Sequence, residues 1–407
     1  MSKDSFSRPA ANPRLWLLDP KILFLNHGAF GACPRCVLEF QDEWRAQMER
    51  QPVHFLVREA EKALDAAREA LAQFVGSHTD DLVFVPNATS GVNSVLRSLS
   101  FQRGDELLVT DHEYNASRNA LDFVAQRWGA RVVVAKIPFP FRQGDELIAP
   151  ILERVTPRTK LALVDHVTSQ TGIVLPLAKI VKALRARGVE TLVDGAHAPG
   201  MVPLNLRQLG AAYYTGNCHK WICAPKGAAF LHVRRDQQKL IRPLTISHGA
   251  NSRRKDRSRF LLEFSWQGTL DPSAFLSVPE AIRFVGALLP GGWPEVMERN
   301  RGLVLAARKI LCETLEIAEP CPEEFIGSIA AVPLPNAARN QLPRLPFNES
   351  PLQDALREKH QIEAPVISWP APPARVLRVA AQLYNSLPQY RKLAAALRIE
   401  LHRPQRK

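Results

Sequence analysis

Residues 191–197, Thr-Leu-Val-Asp-Gly-Ala-His, decide the fold that the sequence predicts. A short apolar run, typical of a buried strand, ends there in an acid, Asp194. Similar runs, separated by segments with the apolar spacing of helices, occur at residues 81–85, 106–110, 131–137, 161–164 and 228–233. Strands that alternate with helices indicate an α/β domain with a largely parallel sheet.

The chain has 407 residues, which exceeds the length at which one hydrophobic core keeps growing, so we expect two domains. Near residue 285 the alternation gives way to helices that flank short strands. We therefore predict an N-terminal arm at 1–20, a large domain at 21–285 and a small α+β domain at 286–407. Within the small domain we predict helices at 293–315 and 351–359, a strand at 376–380 and an irregular, proline-rich connection or sheet edge at 332–346.

The composition is that of a soluble globular protein, with 46% hydrophobic and 23% charged residues. The sequence has no apolar run of membrane-spanning length and no secretory signal pattern, and its six cysteines do not suggest a disulfide scaffold, so we expect a cytoplasmic protein. The net charge is +13, but lysine and arginine are scattered apart from one run at 253–259. We interpret that run as a solvated loop or a rim that attracts anionic ligands, and we expect no nucleic-acid partner.

Polar residues follow several of these strands, at the sheet edge where open α/β sheets bind ligands. Asp111-His112-Glu113-Tyr114 follows one strand, Asp165-His166-Val167-Thr168-Ser169 follows another, and Asp194 is followed by His197. Ala88-Thr89-Ser90 enters a predicted helix, where free N–H groups could hold a phosphate or simply be capped. Polar groups at one edge of a sheet indicate a shared crevice.

Lys220 stands in the segment Asn217-Cys218-His219-Lys220-Trp221, which contains few other charges. A desolvated lysine has a lowered pKa and can form a Schiff base, whereas a surface lysine keeps its ammonium in water. Pyridoxal 5′-phosphate (PLP) needs a lysine, an acid for its ring nitrogen, a ring to stack on and a phosphate cup. Lys220, Asp194 and Thr89-Ser90 occur in an order that meets this need, so PLP is the predicted cofactor.

The combined segments resemble the class V aminotransferase family of fold-type I PLP enzymes, over roughly residues 21–400. This family includes cysteine desulfurases, isopenicillin N epimerase-like proteins and ergothioneine-pathway C–S lyases. The resemblance rests on five segments, Leu25–Ala29, Asn87–Asn93, Thr110–Tyr114, Val193–His197 and Cys218–Trp221. It implies a mainly parallel seven-stranded sheet between helices, a smaller α+β C-terminal domain, and a homodimer whose active site is shared across the interface.

The resemblance also implies roles for individual residues. Lys220 would carry PLP, Asp194 would pair with its ring nitrogen, and His197 would lie near its phenolic oxygen. Either His112 or Tyr114 would stack on the ring. The remaining cofactor residues would be Ala88, Thr89, Ser90, Thr168, Asn217 and His219, with Gln267 and Thr269 reaching over from the other subunit. Arg378 would clamp the substrate carboxylate, with Asn26 and His27 beside the substrate.

One departure from the family bears on the reaction. Cysteine desulfurases carry a catalytic cysteine shortly before the clamping arginine, but residues 362–369 contain none, so we do not expect a persulfide-forming desulfurase. We predict an isopenicillin N epimerase-like enzyme that acts at the α-carbon of an amino acid or its conjugate. Lys220 would be the general base and Tyr114 or His27 the second proton donor. C–S lysis of the hercynylcysteine sulfoxide lyase type, in which Tyr114 protonates the leaving sulfur, and transamination are the alternatives.

Other classes of protein fit the sequence less well. A zinc site would use Cys33 and Cys36 with Cys218, His219 and Cys223, but these lack the regular pairing of structural zinc sites, so we predict no metal. No glycine-rich dinucleotide or nucleotide-triphosphate motif is present. A non-enzymatic protein with a PLP fold would predict damage to Lys220, Asp194 or Arg378, and all three are present.

Overall fold

The computed structural model describes residues 6–338, 342 and 350–402. Its strands are β1 (Leu23–Phe24), β2 (Leu82–Val85), β3 (Glu106–Thr110), β4 (Arg131–Ala135), β5 (Thr159–Asp165), β6 (Glu190–Asp194), β7 (Tyr213–Asn217), β8 (Ala229–Val233), β9 (Ile329–Leu334), β10 (Ile362–Glu363), β11 (Val366–Ser368) and β12 (Arg375–Ala380). Its α-helices are α1 (His27–Phe30), α2 (Arg35–Arg50), α3 (Pro52–His54), α4 (Ala60–Val75), α5 (Ala88–Ser98), α6 (Asn115–Trp128), α7 (Asp145–Glu153), α8 (Leu177–Arg185), α9 (Leu206–Leu209), α10 (Arg259–Ser265), α11 (Ser273–Leu276), α12 (Val278–Gly286), α13 (Gly292–Leu315), α14 (Pro351–His360) and α15 (Leu387–His402).

The central sheet has seven strands in the order β2-β8-β7-β6-β5-β3-β4. Strands β3 to β7 are parallel to one another, and β8 is antiparallel to both of its neighbours, β2 and β7. The mainly parallel seven-stranded sheet is therefore confirmed. Strand β7 was not among the runs recognised in the sequence as strands, yet it lies next to β6 and leads directly to Lys220.

Both faces of the sheet are buried. Along β5, Leu161 and Leu163 belong to one hydrophobic cluster while Ala162 and Val164 belong to the other, which is the alternation of a strand with helices on both sides. A parallel sheet buried in this way leaves its strand ends as the place where polar residues collect. A ligand site is therefore expected at the carboxyl ends of β3, β5, β6 and β7.

A second, antiparallel sheet has the order β11-β12-β9 and packs on α13. Strand β1 pairs in parallel with β10, which ties the beginning of the chain to its C-terminal part. The division proposed at residue 285 falls one residue before the end of α12 and ahead of α13. The predicted irregular stretch 332–346 begins within β9, and much of it lies outside the described residues. Among the described residues, no helix is both long and apolar enough to cross a membrane.

Candidate active site

Neighbouring strand ends bring the predicted acids and the lysine to one edge of the sheet. Asp165 and Asp194 are the last residues of β5 and β6 and are register partners. Lys220 follows β7 by three residues, and Glu113 follows β3 by three. All three acids are buried. The expected polar groups are therefore gathered at the carboxyl ends of these strands.

The Lys220 amine faces this edge. Its Nζ lies 3.0 Å from Nε2 of His197. Burial, together with the positive charge of Arg378, lowers the pKa of Lys220 to about 7, and the charge of Asp194 opposes the shift. Half of such amines are neutral at about pH 7, which is the form that attacks an aldehyde. The next residue, Trp221, is buried, which anchors the lysine's backbone.

His27 lies behind the lysine. Its Nε2 is 2.9 Å from the backbone oxygen of Lys220, and its Nδ1 is 2.8 Å from the hydroxyl of Tyr384. Since a carbonyl oxygen only accepts, Nε2 donates to Lys220 and Nδ1 accepts from Tyr384. Burial lowers the pKa of His27 to about 3. Both nitrogens are occupied, so the structure makes His27 a support for the lysine backbone and does not support the expected contact with substrate.

Asp194 is held by two donors. The hydroxyl of Ser117, on α6, donates to Oδ2 at 2.7 Å, and the backbone N–H of Ala196 donates to Oδ1 at 3.1 Å. Burial raises the pKa of Asp194, while these two hydrogen bonds and the charge of Lys220 oppose the rise. Ser117 was missed in the sequence because its contribution depends on α6 lying across the end of β6.

His112 is a fixed, neutral ring at this edge. Its Nε2 donates to the backbone oxygen of Ile137 at 3.0 Å, and its Nδ1 lies 2.8 Å from the hydroxyl of Thr171. The ring of Trp369 packs edge-on against it, with the ring centroids 4.5 Å apart. Burial lowers the pKa of His112. Tyr114, by contrast, is 45% exposed, so the geometry favours His112 over Tyr114 as the ring that stacks on a cofactor.

The predicted phosphate end is the start of helix α5. The N–H of Ala88 donates to Oδ1 of Asn217 at 2.8 Å, and the N–H of Ser90 donates to Oδ1 of Asn87 at 2.9 Å. A Cβ at Gly91 would lie 2.2 Å from Oγ1 of Thr215, so a glycine is needed for the helix to lie this close to β7. Ala88 and Asn217 thus fix the helix start, and Thr89 is presented in its first turn.

Arg378 projects from β12 in the second sheet. Its Nη1 donates to the backbone oxygen of Ser169 at 2.5 Å, and its Nη2 donates to Oδ1 of Asn26 at 3.3 Å. Burial lowers the pKa of Arg378 to about 10. None of the ion pairs formed by the described residues includes this guanidinium, so its charge has no carboxylate partner within them.

The other predicted residues fall into two groups, those at this edge and those beside a surface cavity. Thr168 is buried, with its hydroxyl 2.7 Å from that of Thr171, and it therefore supports His112 through that residue. Nδ1 of His219 is 3.2 Å from the backbone oxygen of Ala228. Gln267 instead borders a cavity of about 470 Å³ that Lys220 does not line, and Thr269 is exposed beside it.

The buried groups at the sheet edge fit PLP. A partly deprotonated amine is present for its aldehyde, and a buried carboxylate with two donors is present for its ring nitrogen. A flat neutral ring is present for stacking. Nδ1 of His197 is buried without a hydrogen-bond partner among the described residues, as expected for an atom that forms a hydrogen bond with a bound ligand.

Comparison with known proteins identifies the family. The sequence profile of the aminotransferase class-V family matches residues 24–324. The isopenicillin N epimerase of Amycolatopsis lactamdurans is 35% identical, over 94% of this chain and 96% of that protein. A probable chloroplastic L-cysteine desulfhydrase of Arabidopsis thaliana is 30% identical, over 93% and 83% respectively.

The solved structures agree with this fold. A variant of C-DES with glycine covalently linked to its PLP cofactor superposes with a TM-score of 0.74 and 21% identity, over 93% of this chain and 96% of that one. The family match, the two relatives and the fit of the site to PLP agree with one another. The chain belongs to the aminotransferase class-V family and is a PLP-dependent enzyme.

Proposed function

We propose that this enzyme acts at the α-carbon of an amino acid or amino-acid conjugate with a free carboxylate, and that it exchanges the configuration there as isopenicillin N epimerases do. The observation that carries the proposal is the pairing of Lys220 and Arg378. Both cations are buried, each lies within electrostatic range of the other, and Arg378 has no carboxylate partner among the described residues. A substrate carboxylate would supply the missing negative charge next to the amine that does the chemistry.

Each residue has a defined task in this proposal. PLP, when bound, withdraws electrons from the α-carbon of an attached amino acid and so makes its proton removable. The Lys220 Nζ takes that proton, for which a pKa near neutrality is well suited. Asp194 holds a proton on the ring nitrogen, and His112 supports the ring from one face. Arg378 fixes the carboxylate so that the α-proton points at Lys220.

Exchange of configuration needs a second acid on the other face of the α-carbon, and Tyr114 is our candidate. It directly precedes α6 and is 45% exposed, so its hydroxyl can meet both substrate and solvent. An electrostatic interaction between Tyr114 and Arg378 supports a position near the proposed carboxylate clamp. The competing candidate, His27, has both ring nitrogens engaged elsewhere.

C–S lysis is the second candidate. It is favoured by the similarity to a probable L-cysteine desulfhydrase. The segment where desulfurases carry their cysteine contains β11 and then Trp369, whose ring lies against His112, so any sulfur released would not be passed to a cysteine of this segment. In this reaction Tyr114 would protonate the leaving sulfur instead of the α-carbon.

The test is to incubate the enzyme with L- and D-amino acids and cysteine S-conjugates in D₂O. We expect deuterium at the α-carbon and formation of the opposite enantiomer, measured by mass spectrometry and chiral chromatography. Tyr114→Phe should keep the deuterium exchange from the Lys220 face and lose the change of configuration, whereas Lys220→Ala should lose both. Release of sulfide and keto acid without the opposite enantiomer would establish C–S lysis, and keto acid with the aminated cofactor would establish transamination.

We also propose that two copies of the chain share their active sites. Gln267 borders a cavity that Lys220 does not line, and Thr269 is exposed beside it. Exposed apolar residues follow directly at Leu270 and occur earlier in the chain at Leu240, Leu244 and Ile246. Light scattering should give twice the monomer mass. Mixed under exchange conditions, inactive Lys220→Ala and Thr269→Ala variants should regain activity, because a hybrid dimer contains one intact site. No recovery in proven hybrids would contradict a shared site.

A further inference from the structure

Three buried carboxyl groups meet at the sheet edge that carries Lys220. Glu113, Asp165 and Asp194 come from the adjacent strand ends of β3, β5 and β6, and one oxygen from each lies within 4.8 Å of one from each of the others. All three side chains are at least nine-tenths buried. The sequence placed these acids at one edge, but it assigned a role only to Asp194.

The three carboxyl groups differ in their hydrogen bonds. Asp194 accepts from Ser117 and from the N–H of Ala196. Glu113 accepts through Oε1 from the N–H of Tyr114 at 3.2 Å. Oε2 of Glu113 and Oδ2 of Asp165 are both buried, and neither has a hydrogen-bond donor among the described residues. Two adjacent buried acceptors with no donor are satisfied together if one proton lies between them.

The charges around the cluster also favour a proton between Glu113 and Asp165. The ionisable groups that face the three acids are Lys220, Arg118 on α6 and the hydroxyl of Tyr214, which is itself bonded to Nδ1 of His166. Three buried carboxylates beside so few cations cannot all be ionised. The proton goes to the carboxyl groups that lack donors, because the donors of Asp194 stabilise its charged form.

We propose that Glu113 and Asp165 share one proton and act as a positioning pair that leaves the negative charge on Asp194. The pair takes up the proton that the cluster requires, so Asp194 stays ionised for the ring nitrogen, and the shared hydrogen bond holds the ends of β3 and β5 together. This inference rests on the proposed role of Asp194. Burial is the main reason that the pKa of both Glu113 and Asp165 lies well above the ordinary range, which agrees with a retained proton. The negative charge of Asp194 adds to the rise in both groups, and that of Glu113 adds to it in Asp165.

Infrared spectroscopy of the PLP-loaded enzyme tests the pair directly. The wild type near neutral pH should show the C=O stretch of a protonated carboxyl group, and the band should shift in D₂O. Glu113→Gln and Asp165→Asn should each abolish it, because an amide N–H then replaces the shared proton without changing the total charge. Asp194→Asn should keep the band, as should the matched control Asp111→Asn, which removes an exposed acid two residues before Glu113.

Other outcomes would overturn the inference. Persistence of the band in either amide variant would mean that the proton is not shared, and its loss in Asp194→Asn would place the proton on Asp194. A wild type without the band would mean three ionised carboxylates, the state that a bound divalent cation requires. If a variant fails to fold, separate ¹³C labelling of aspartate and of glutamate in the wild type should shift the band in both samples. The role of Asp194 is tested separately by the affinity for PLP. If Asp194 does not pair with the ring nitrogen, Asp194→Asn should bind PLP as tightly as the wild type.

Discussion

Replacing Arg378 with methionine should raise the pH at which Lys220 captures its cofactor. The pKa of Lys220 is about 7 because burial disfavours the ammonium and the charge of Arg378 repels it. At pH 7 about half of such amines are neutral, against about one in 3,000 for a lysine with the ordinary pKa of 10.5. Arg378→Met leaves Lys220 buried and leaves Asp194 as the nearby charge. The pH midpoint of PLP uptake should therefore move above 7 without reaching the ordinary pKa of lysine.

The assay is stopped-flow absorbance of PLP uptake by the apoprotein over a series of pH values. Nα-acetyl-lysine, measured in parallel, corrects for the ionisation of PLP itself. Lys179→Met is the matched control, because Lys179 is exposed on α8 and its removal should leave the profile unchanged. A wild-type midpoint near that of free lysine, or one that Arg378→Met does not move, would refute the reasoning.

Three further predictions follow from the same contacts. Lys220→Met should stabilise the apoprotein near pH 7 by about 4 kcal/mol, because a buried amine with a lowered pKa destabilises the folded state. The destabilisation is complete below the folded pKa of about 7 and disappears as the pH rises towards the pKa of lysine in the unfolded chain. The gain in melting temperature should therefore shrink with rising pH, and a constant gain would contradict the assignment. Ser117→Ala removes a hydrogen bond to a charged group, worth about 1.5–3 kcal/mol, so the Kd for PLP should rise about 10- to 100-fold in fluorescence titrations. Arg378→Lys keeps the charge but loses the planar fork, so KM should rise about tenfold or more while kcat changes less; an unchanged KM would contradict the carboxylate clamp.

Much of the fold could be predicted because its signal is local. Residues 107–109, in the run 106–110, are apolar on both faces of the strand. Such a run can be recognised as a buried strand from its own residues alone. Strand β7, Tyr-Tyr-Thr-Gly-Asn, was missed because its glycine and asparagine do not resemble a buried run. Both are needed there, since Gly216 lies close beneath Phe230 and Asn217 holds the start of α5.

The candidate site was less accessible to sequence reasoning because its decisive contacts join distant residues. The two bonds of His27, to Lys220 and Tyr384, are what direct it away from substrate. Trp369 reaches His112 from the other sheet, and no local pattern in either segment indicates that contact. Glu113 and Asp165 each follow a strand in a way that the sequence does show, but their missing donors become visible only when all the neighbours are in place.

The contacts of Arg378 also link substrate binding to the chemistry of Lys220. In the absence of substrate the guanidinium lowers the pKa of the amine, which favours the neutral form that holds PLP. A substrate carboxylate on Arg378 would cancel much of that positive charge, because opposite charges in contact inside a protein offset each other's field. The pKa of the freed Lys220 would then rise, and a stronger base takes a carbon-bound proton more readily. In the proposed mechanism, one buried arginine would therefore both select substrates with a free carboxylate and make the lysine more basic once such a substrate is bound.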